Sequence, residues 1–324
     1  MGPRHLMRLR ALLAIIAAAA LGCAAEVRSA TVHATPPLAA WWQQPDDLAS
    51  RDLFNGPWGA EHAPDPDAEY TFVRPKTGGF NPGVIVRDPQ GREWHVKQSS
   101  EHHGAEGPAE VVLSRVLSAL GYHQPPVYYL PSFRMRDAKG TRIEPGGRFR
   151  LHLPSLVARG EWAWQENPFI GHPSFNGLLA ILMVFNSSEL KNSNNTIYAV
   201  KGDASTGVWY VMRDLGDALG RTGKIAPQRN NLALFQQSGF IKDVRNGFVD
   251  FDYHGRFGEM VSRRITPADV VWGCNLLAQL TDRQWNDAFR AAGYPPDTAS
   301  GFIAVIRARI VQGQRVGAGS ADSR

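Results

Sequence analysis

The run Ser174 to Phe185 (SFNGLLAILMVF) constrains this chain of 324 residues more than any other feature. As a helix it is apolar on nearly every side, so no face of it can be turned to water. A helix that crosses a bilayer needs about 20 such residues, and no stretch beyond the N-terminal region is that long. The segment is therefore expected to be a helix buried all round, which requires a shell of other elements. The last third of the chain offers one. Thr266-Pro267-Ala268-Asp269 and Thr281-Asp282-Arg283-Gln284 are both good helix starts, the second with a capping-box Gln, and Phe302 to Val311 reads as a last helix. With 43% hydrophobic and 20% charged residues, the composition suits one large domain or two small ones.

The N-terminus has a different logic. Arg4, Arg8 and Arg10 precede an apolar run, Ala11 to Leu21, which leads through small residues to Cys23. This is the layout of an export signal. Ala20-Leu21-Gly22-Cys23 is similar to a bacterial lipobox, whose Cys is acylated and becomes the new N-terminus, although Ala20 stands where Leu is usual. Residues 1–22 are expected to be a signal peptide and Cys23 the lipidation site. The protein would then be a periplasmic or outer-envelope lipoprotein, tethered to the membrane by its lipid, or alternatively a secreted one. Removing residues 1–22 takes away three Arg and no acid, so the formal charge falls from +5 to +2. No nucleic-acid partner is expected from that balance. The only other cysteine, Cys274, lies among Val270, Val271, Trp272, Leu276 and Leu277 and reads as an inert buried thiol.

Residues 23–69 read as a tether and irregular segment that packs onto the domain through Trp41, Trp42 and Trp58. Gly83 to Arg87 and Arg92 to Lys97 read as a hairpin around Asp88-Pro89-Gln90-Gly91, which has the residues a type I turn prefers. A glycine-containing loop, Thr77 to Pro82, precedes it. Pro108 to Leu120 is a predicted helix, with Val112, Val116 and Leu120 on one face and Gly121 closing it. Val127 to Leu130 is a predicted strand. After the apolar helix comes a polar loop, Asn186 to Asn194. A second hairpin, Thr196 to Val200 and Val208 to Met212, then leads to Asp214-Leu215-Gly216. The tail after Gly313 is expected to be disordered.

A strand Lys alone usually marks a solvated face, and a lone Asp-Leu-Gly is usually a turn. Their order carries more. Gly78 and Gly79, then Lys97, then Glu110 on a helix, then Glu189-Leu190-Lys191-Asn192-Ser193-Asn194, then Asp214-Leu215-Gly216 form a series that resembles the protein-kinase-like superfamily. The resemblance is to its atypical branches, HipA-type kinases, type II phosphatidylinositol 4-kinases and secretory-pathway kinases, and Gly78 to Pro82, Lys97 and Leu190 to Asn195 look like a bacterial exported group within the superfamily. It implies an α+β, bilobal fold with a small β-rich N-lobe at 70–132, a mainly helical C-lobe at 133–313 and a disordered tail at 314–324.

The resemblance also implies roles. Gly78 and Gly79 would let the backbone approach nucleotide phosphates. Lys97 would hold the α- and β-phosphates of ATP, positioned by Glu110, with Glu106 the alternative partner set aside because Pro108 places it before the helix. Asp214 and Asn194 would bind Mg²⁺, with Asp217 a further metal or capping residue, and Lys191 would neutralise the γ-phosphate. Glu189 would orient the acceptor hydroxyl where the family has Asp; reading Asn186 at that position instead would leave no carboxylate there. The expected function is Mg-nucleotide binding, with phosphate or nucleotidyl transfer to a protein, lipid or small-molecule acceptor. The alternative is a catalytically impaired pseudokinase or a structural or binding lipoprotein. Glu101-His102-His103 reads as a surface loop in preference to a metal site.

Overall fold

The computed structural model describes residues 35–77, 81–98, 106–188, 190–202, 206–223 and 228–316. Every element below belongs to the compact unit that begins at Pro36.

The Asp88 turn forms as its residues dictate. Gly91 N donates to Asp88 O at 2.9 Å, and Gly91 takes the left-handed φ of 82° that glycine tolerates. The Asp88 carboxylate then accepts from Arg92 Nε at 2.6 Å and from Trp94 Nε1 at 2.9 Å, which locks the turn to the strand that follows. The strands are β1 (Glu69–Pro75), β2 (Gly83–Arg87), β3 (Glu93–Gln98), β4 (Val127–Asp137) and β5 (Gly140–Leu151). They close a barrel in the order β1-β2-β3-β5-β4, with β1 parallel to β4 and the other neighbours antiparallel. Alternate residues fill its interior, among them Tyr70, Val86, Trp94, Val96, Phe133, Met135 and Phe149.

The β4–β5 hairpin was underread from the sequence. The strand expected at Val127 to Leu130 continues to Asp137, so a boundary between residues 132 and 133 falls inside β4. Pro131, Pro145, Gly146 and Gly147 are residues that ordinarily interrupt strands. Yet the register runs on through Leu130↔Gly147 and Ser132↔Pro145. Gly146 is required there: a Cβ would lie 1.9 Å from the Leu130 carbonyl oxygen.

Helix α1 (Glu106–Ala119) connects β3 to β4 and is buried along nearly its whole length, packed on β4 and β5. A second core surrounds α2 (Pro173–Val184), the apolar helix, whose residues Leu178 to Val184 are each at most 2% exposed. The helices α4 (Pro267–Ala278), α5 (Asp282–Ala291) and α6 (Pro296–Arg315) supply the helical layer, together with the short α3 (Leu232–Gln237). Thr266 and Thr281 both form full capping boxes, with Asp269 and Gln284 returning the bond. A three-stranded sheet of β6 (Leu156–Gly160), β7 (Asn195–Val200) and β8 (Val208–Met212) and the hairpin β9 (Ile241–Arg245) and β10 (Phe248–Phe251) complete the chain. The protein is thus a mixed α/β chain with a strand-rich N-terminal part and helices toward the C-terminus.

The irregular segment after residue 35 packs through its tryptophans, as its composition implied. Trp41 sits against Tyr122, Trp162, Phe169 and Phe175, and Trp42 Nε1 donates to Leu120 O at 2.8 Å. Cys274 is buried, and desolvation pushes its thiol up to about 12. Helix α6 continues to Arg315, two residues past Gly313 and into the segment expected to be the tail. Among the described residues, no helix is long and apolar enough to cross a membrane.

Candidate functional site

On β3, Trp94 and Val96 point into the barrel, so His95 and Lys97 fall on its outer face. Helix α1 runs past that face. Glu106 and Glu110 are one turn apart and therefore share a side of the helix. Lys97 Nζ lies 2.7 Å from Glu106 Oε2, 3.4 Å from Glu110 Oε2 and 3.4 Å from Asp214 Oδ1. Three segments far apart in sequence thus meet at one ammonium. The nearest carboxylate is that of Glu106, which corrects the sequence expectation. Pro108 sits inside the first turn, where its missing N–H costs nothing, so the helix begins at Glu106.

Two arginines that sequence reasoning did not select hold the helical carboxylates from the other side. Arg148, opposite Lys97 in the β3–β5 register, places Nε 2.9 Å from Glu110 Oε1 and donates to His95 O at 3.1 Å. Arg229 pairs through Nη1 with Glu106 and through Nε with Asp217 Oδ1 at 3.2 Å. Asp217 in turn accepts from Ser188 Oγ at 2.7 Å, and its carbonyl accepts from Ser188 N at 2.9 Å. A continuous path, Lys97–Glu106–Arg229–Asp217–Ser188, therefore ties the barrel to the loop that follows α2. The alternation Arg148-Phe149-Arg150-Leu151 was the available signal for β5: cations on one face, apolar residues on the other.

Asp214 follows β8 with φ 55°, a left-handed conformation uncommon outside glycine. The next turn is held tight. A Cβ on Gly216 would lie 2.7 Å from Glu106 Cβ and 2.8 Å from its carbonyl oxygen, so only glycine allows the start of α1 to approach this closely. Burial works to raise the Asp214 pKa, but Lys97, Arg148, Arg150 and Arg213 together hold it well below the ordinary carboxylate range. Glu110 is balanced the same way: desolvation opposes ionisation, and Arg148 and Lys97 overcome it. Both groups are ionised at neutral pH.

Asn194 ends a single 3-10 turn (Asn192–Asn194) and is buried; its carbonyl accepts from Arg213 N at 3.0 Å, which brings it beside the Asp214 segment. Lys191 opens the same turn, its carbonyl accepting from Asn194 N at 3.1 Å. Asn186 is a structural residue: its side chain donates to Gly220 O at 2.8 Å and accepts from Arg309 Nη1 at 3.0 Å. Gly78, Gly79, Glu189, Cys23 and Glu101-His102-His103 lie outside the described residues.

Among the described residues there is no group of three or more His, Cys, Asp or Glu that could hold a metal ion by itself. Mg²⁺ commonly needs only one or two carboxylates when phosphate oxygens complete its shell. Asp214 fits that use, since its ionised side chain is 42% exposed while the Lys97 side chain it pairs with is buried. The surrounding cations are compatible with phosphate.

No family model matches the chain, and neither does any curated protein. Among solved structures the chain is similar to the proinflammatory kinase CtkA of Helicobacter pylori, at 9% identity and a TM-score of 0.44, over 80% of this chain and 100% of that one. It is also similar to the Golgi casein kinase, at 10% identity and a TM-score of 0.36, over 86% of this chain and 74% of that one. At such scores the fold and the site rest on the geometry described above.

Proposed function

We propose that the junction around Lys97 binds a Mg-nucleotide, within a bilobal protein-kinase-like arrangement, and transfers phosphate to an acceptor hydroxyl. The observation that carries this reading is the convergence of Lys97, Glu110 and Asp214, the three positions that the motif order singled out. Lys97 supplies a buried cation for the phosphates, and Glu106 and Glu110 fix its position. Asp214, with the nearby Asn194, offers oxygen ligands for Mg²⁺, which when bound would neutralise charge on the phosphates. Gly78 and Gly79 are assigned to the phosphate loop, Lys191 to the γ-phosphate, and Glu189 to orienting the acceptor and taking its proton.

Thermal shift with Mg·ATP, followed by a radiolabelled transfer assay, tests the reading. Asp214→Ala should abolish the shift. Glu189→Gln should keep it and remove most transfer, because shape is retained and charge is lost. A folded wild type that neither binds Mg·ATP nor transfers phosphate would overturn the reading. A second reading, a nucleotide-binding protein with impaired catalysis, is favoured by Glu in place of Asp at 189: one added methylene moves the carboxylate by about 1 Å, enough to cost ~10²-fold in rate. Binding without transfer, with Glu189→Asp raising activity from background, would select it. We further propose that the protein is exported and acylated at Cys23; mass spectrometry of the membrane fraction should find an acylated Cys23 N-terminus.

A further inference from the structure

Arg148 and Arg150 leave the same face of β5, and their register partners on β3 are Lys97 and His95. Arg148 and Lys97 are matched by Glu110, Glu106 and Asp214. Arg150 is not: among the described residues it has no ion pair and no side-chain hydrogen bond. Arg213, just before Asp214, is in a similar position. Its Nη1 donates to the Tyr198 phenol at 3.4 Å, and its Nε is buried without a partner. Arg213 makes no ion pair with a carboxylate among the described residues. Both residues keep part of their surface open to solvent.

Arg150 is pushed down to about 10, by burial first and then by the charges of Arg148 and Arg213, while Tyr198, which Arg213 contacts, and the Glu110 carboxylate act on it in the opposite sense. Arg150 and Arg213 share the charge of Asp214 with Lys97 and Arg148, to which the nearby carboxylates are directly paired; cations in such excess raise the energy of the folded chain, and a further anion between them would relieve it. Guanidinium forks match phosphate oxygens two at a time. A single carboxylate could neutralise only one of them, whereas an oligophosphate carries charge for both.

We infer that Arg150 and Arg213 form an anion site beside Asp214 that takes an oligophosphate group. The inference deepens the nucleotide reading and rests on it for the class of ligand. It adds two cations to the phosphate contacts expected from Lys97 and Lys191.

Calorimetric titration of the full chain with inorganic tripolyphosphate, in Mg²⁺-free buffer, tests it. The wild type should bind, and binding should weaken as NaCl rises. Arg150→Gln and Arg213→Gln should each weaken binding roughly tenfold or more, the loss expected for a charge-assisted pair. Arg136→Gln, which removes an exposed cation paired with Glu69 on the strand layer, should change it by less than about twofold. Should a Gln variant fail to fold, Arg→Lys at the same position keeps the charge but loses the fork, and should still weaken binding. No binding to the folded wild type, or equal binding by the Arg136, Arg150 and Arg213 variants, would overturn the inference. In the latter case an Asp214-dependent Mg·ATP shift would leave the nucleotide reading intact. Loss of tripolyphosphate binding confined to Arg150 and Arg213, in a protein indifferent to Mg·ATP, would keep the anion site and remove the nucleotide.

Discussion

At the scale of single residues, the site is a set of buried charges that depend on each other. Glu110 is 3% exposed and Arg148 is likewise 3% exposed. Glu110→Gln would leave Arg148 buried against a neutral amide. Removing one partner of a buried pair costs about 3–5 kcal/mol, and urea denaturation should show a loss of that order. The same groups set an acid limit. Glu110 and Asp214 are held below their ordinary values of 4.5 and 3.8. A depressed carboxylate contributes stability that is fully present above its unfolded pKa and is lost as pH falls through the folded one. Unfolding free energy should therefore be flat in these terms near neutrality and decline below about pH 4.5, and the decline should be shallower in Glu110→Gln. A denaturation series from pH 7 to pH 3 measures both slopes. In sequence, Lys97, Glu110 and Asp214 were legible because each belongs to an ordered motif. Arg148, Arg150, Arg213 and Arg229 were not, because an Arg on a strand or loop looks the same whether it faces water or a carboxylate.

At the scale of elements, the start of α1 decides the geometry. Glu106 reaches Lys97 because the helix begins before Pro108, and Gly216 leaves room for that first turn. Gly216→Ala would drive a methyl into Glu106 backbone and side chain. Overpacking of this kind costs about 1–3 kcal/mol, and the Mg·ATP thermal shift should shrink along with the unfolding temperature. The two capping boxes are simpler. Thr266→Ala removes the bond to Asp269 N and should cost about 1 kcal/mol by urea denaturation, without changing the behaviour of Lys97. These caps and the Asp88 turn were readable because their chemistry is local: every partner lies within six residues. The β4–β5 hairpin was not, since Pro131, Pro145 and Gly146 are tolerated only through the cross-strand neighbours they meet.

At the scale of the whole molecule, one buried cation ties distant elements. Arg309 on α6 donates to Val184 O and Asn186 Oδ1 at the end of α2, and to Phe235 O and Ser238 O at the end of α3. It thereby caps carbonyls that the helix ends leave open, with its guanidinium over the Phe235 ring. Arg309→Ala should destabilise the protein by on the order of 3 kcal/mol or more, since several buried acceptors lose their donor together. Arg309→Lys, whose ammonium lacks the planar fork, should recover only part of that loss. Calorimetric unfolding of both variants checks this. Burial of Ser174 to Phe185 was determined by the sequence itself, because a helix apolar on every side has nowhere else to go. So were the hairpin turns and helix caps, whose bonds close within a few residues. Which carboxylate Lys97 would meet, and which arginines would stand without one, was decided only by the tertiary structure. Those contacts join β3, α1, β5 and the loop after β8 across more than a hundred residues of chain, and their energies depend on burial that no local pattern encodes.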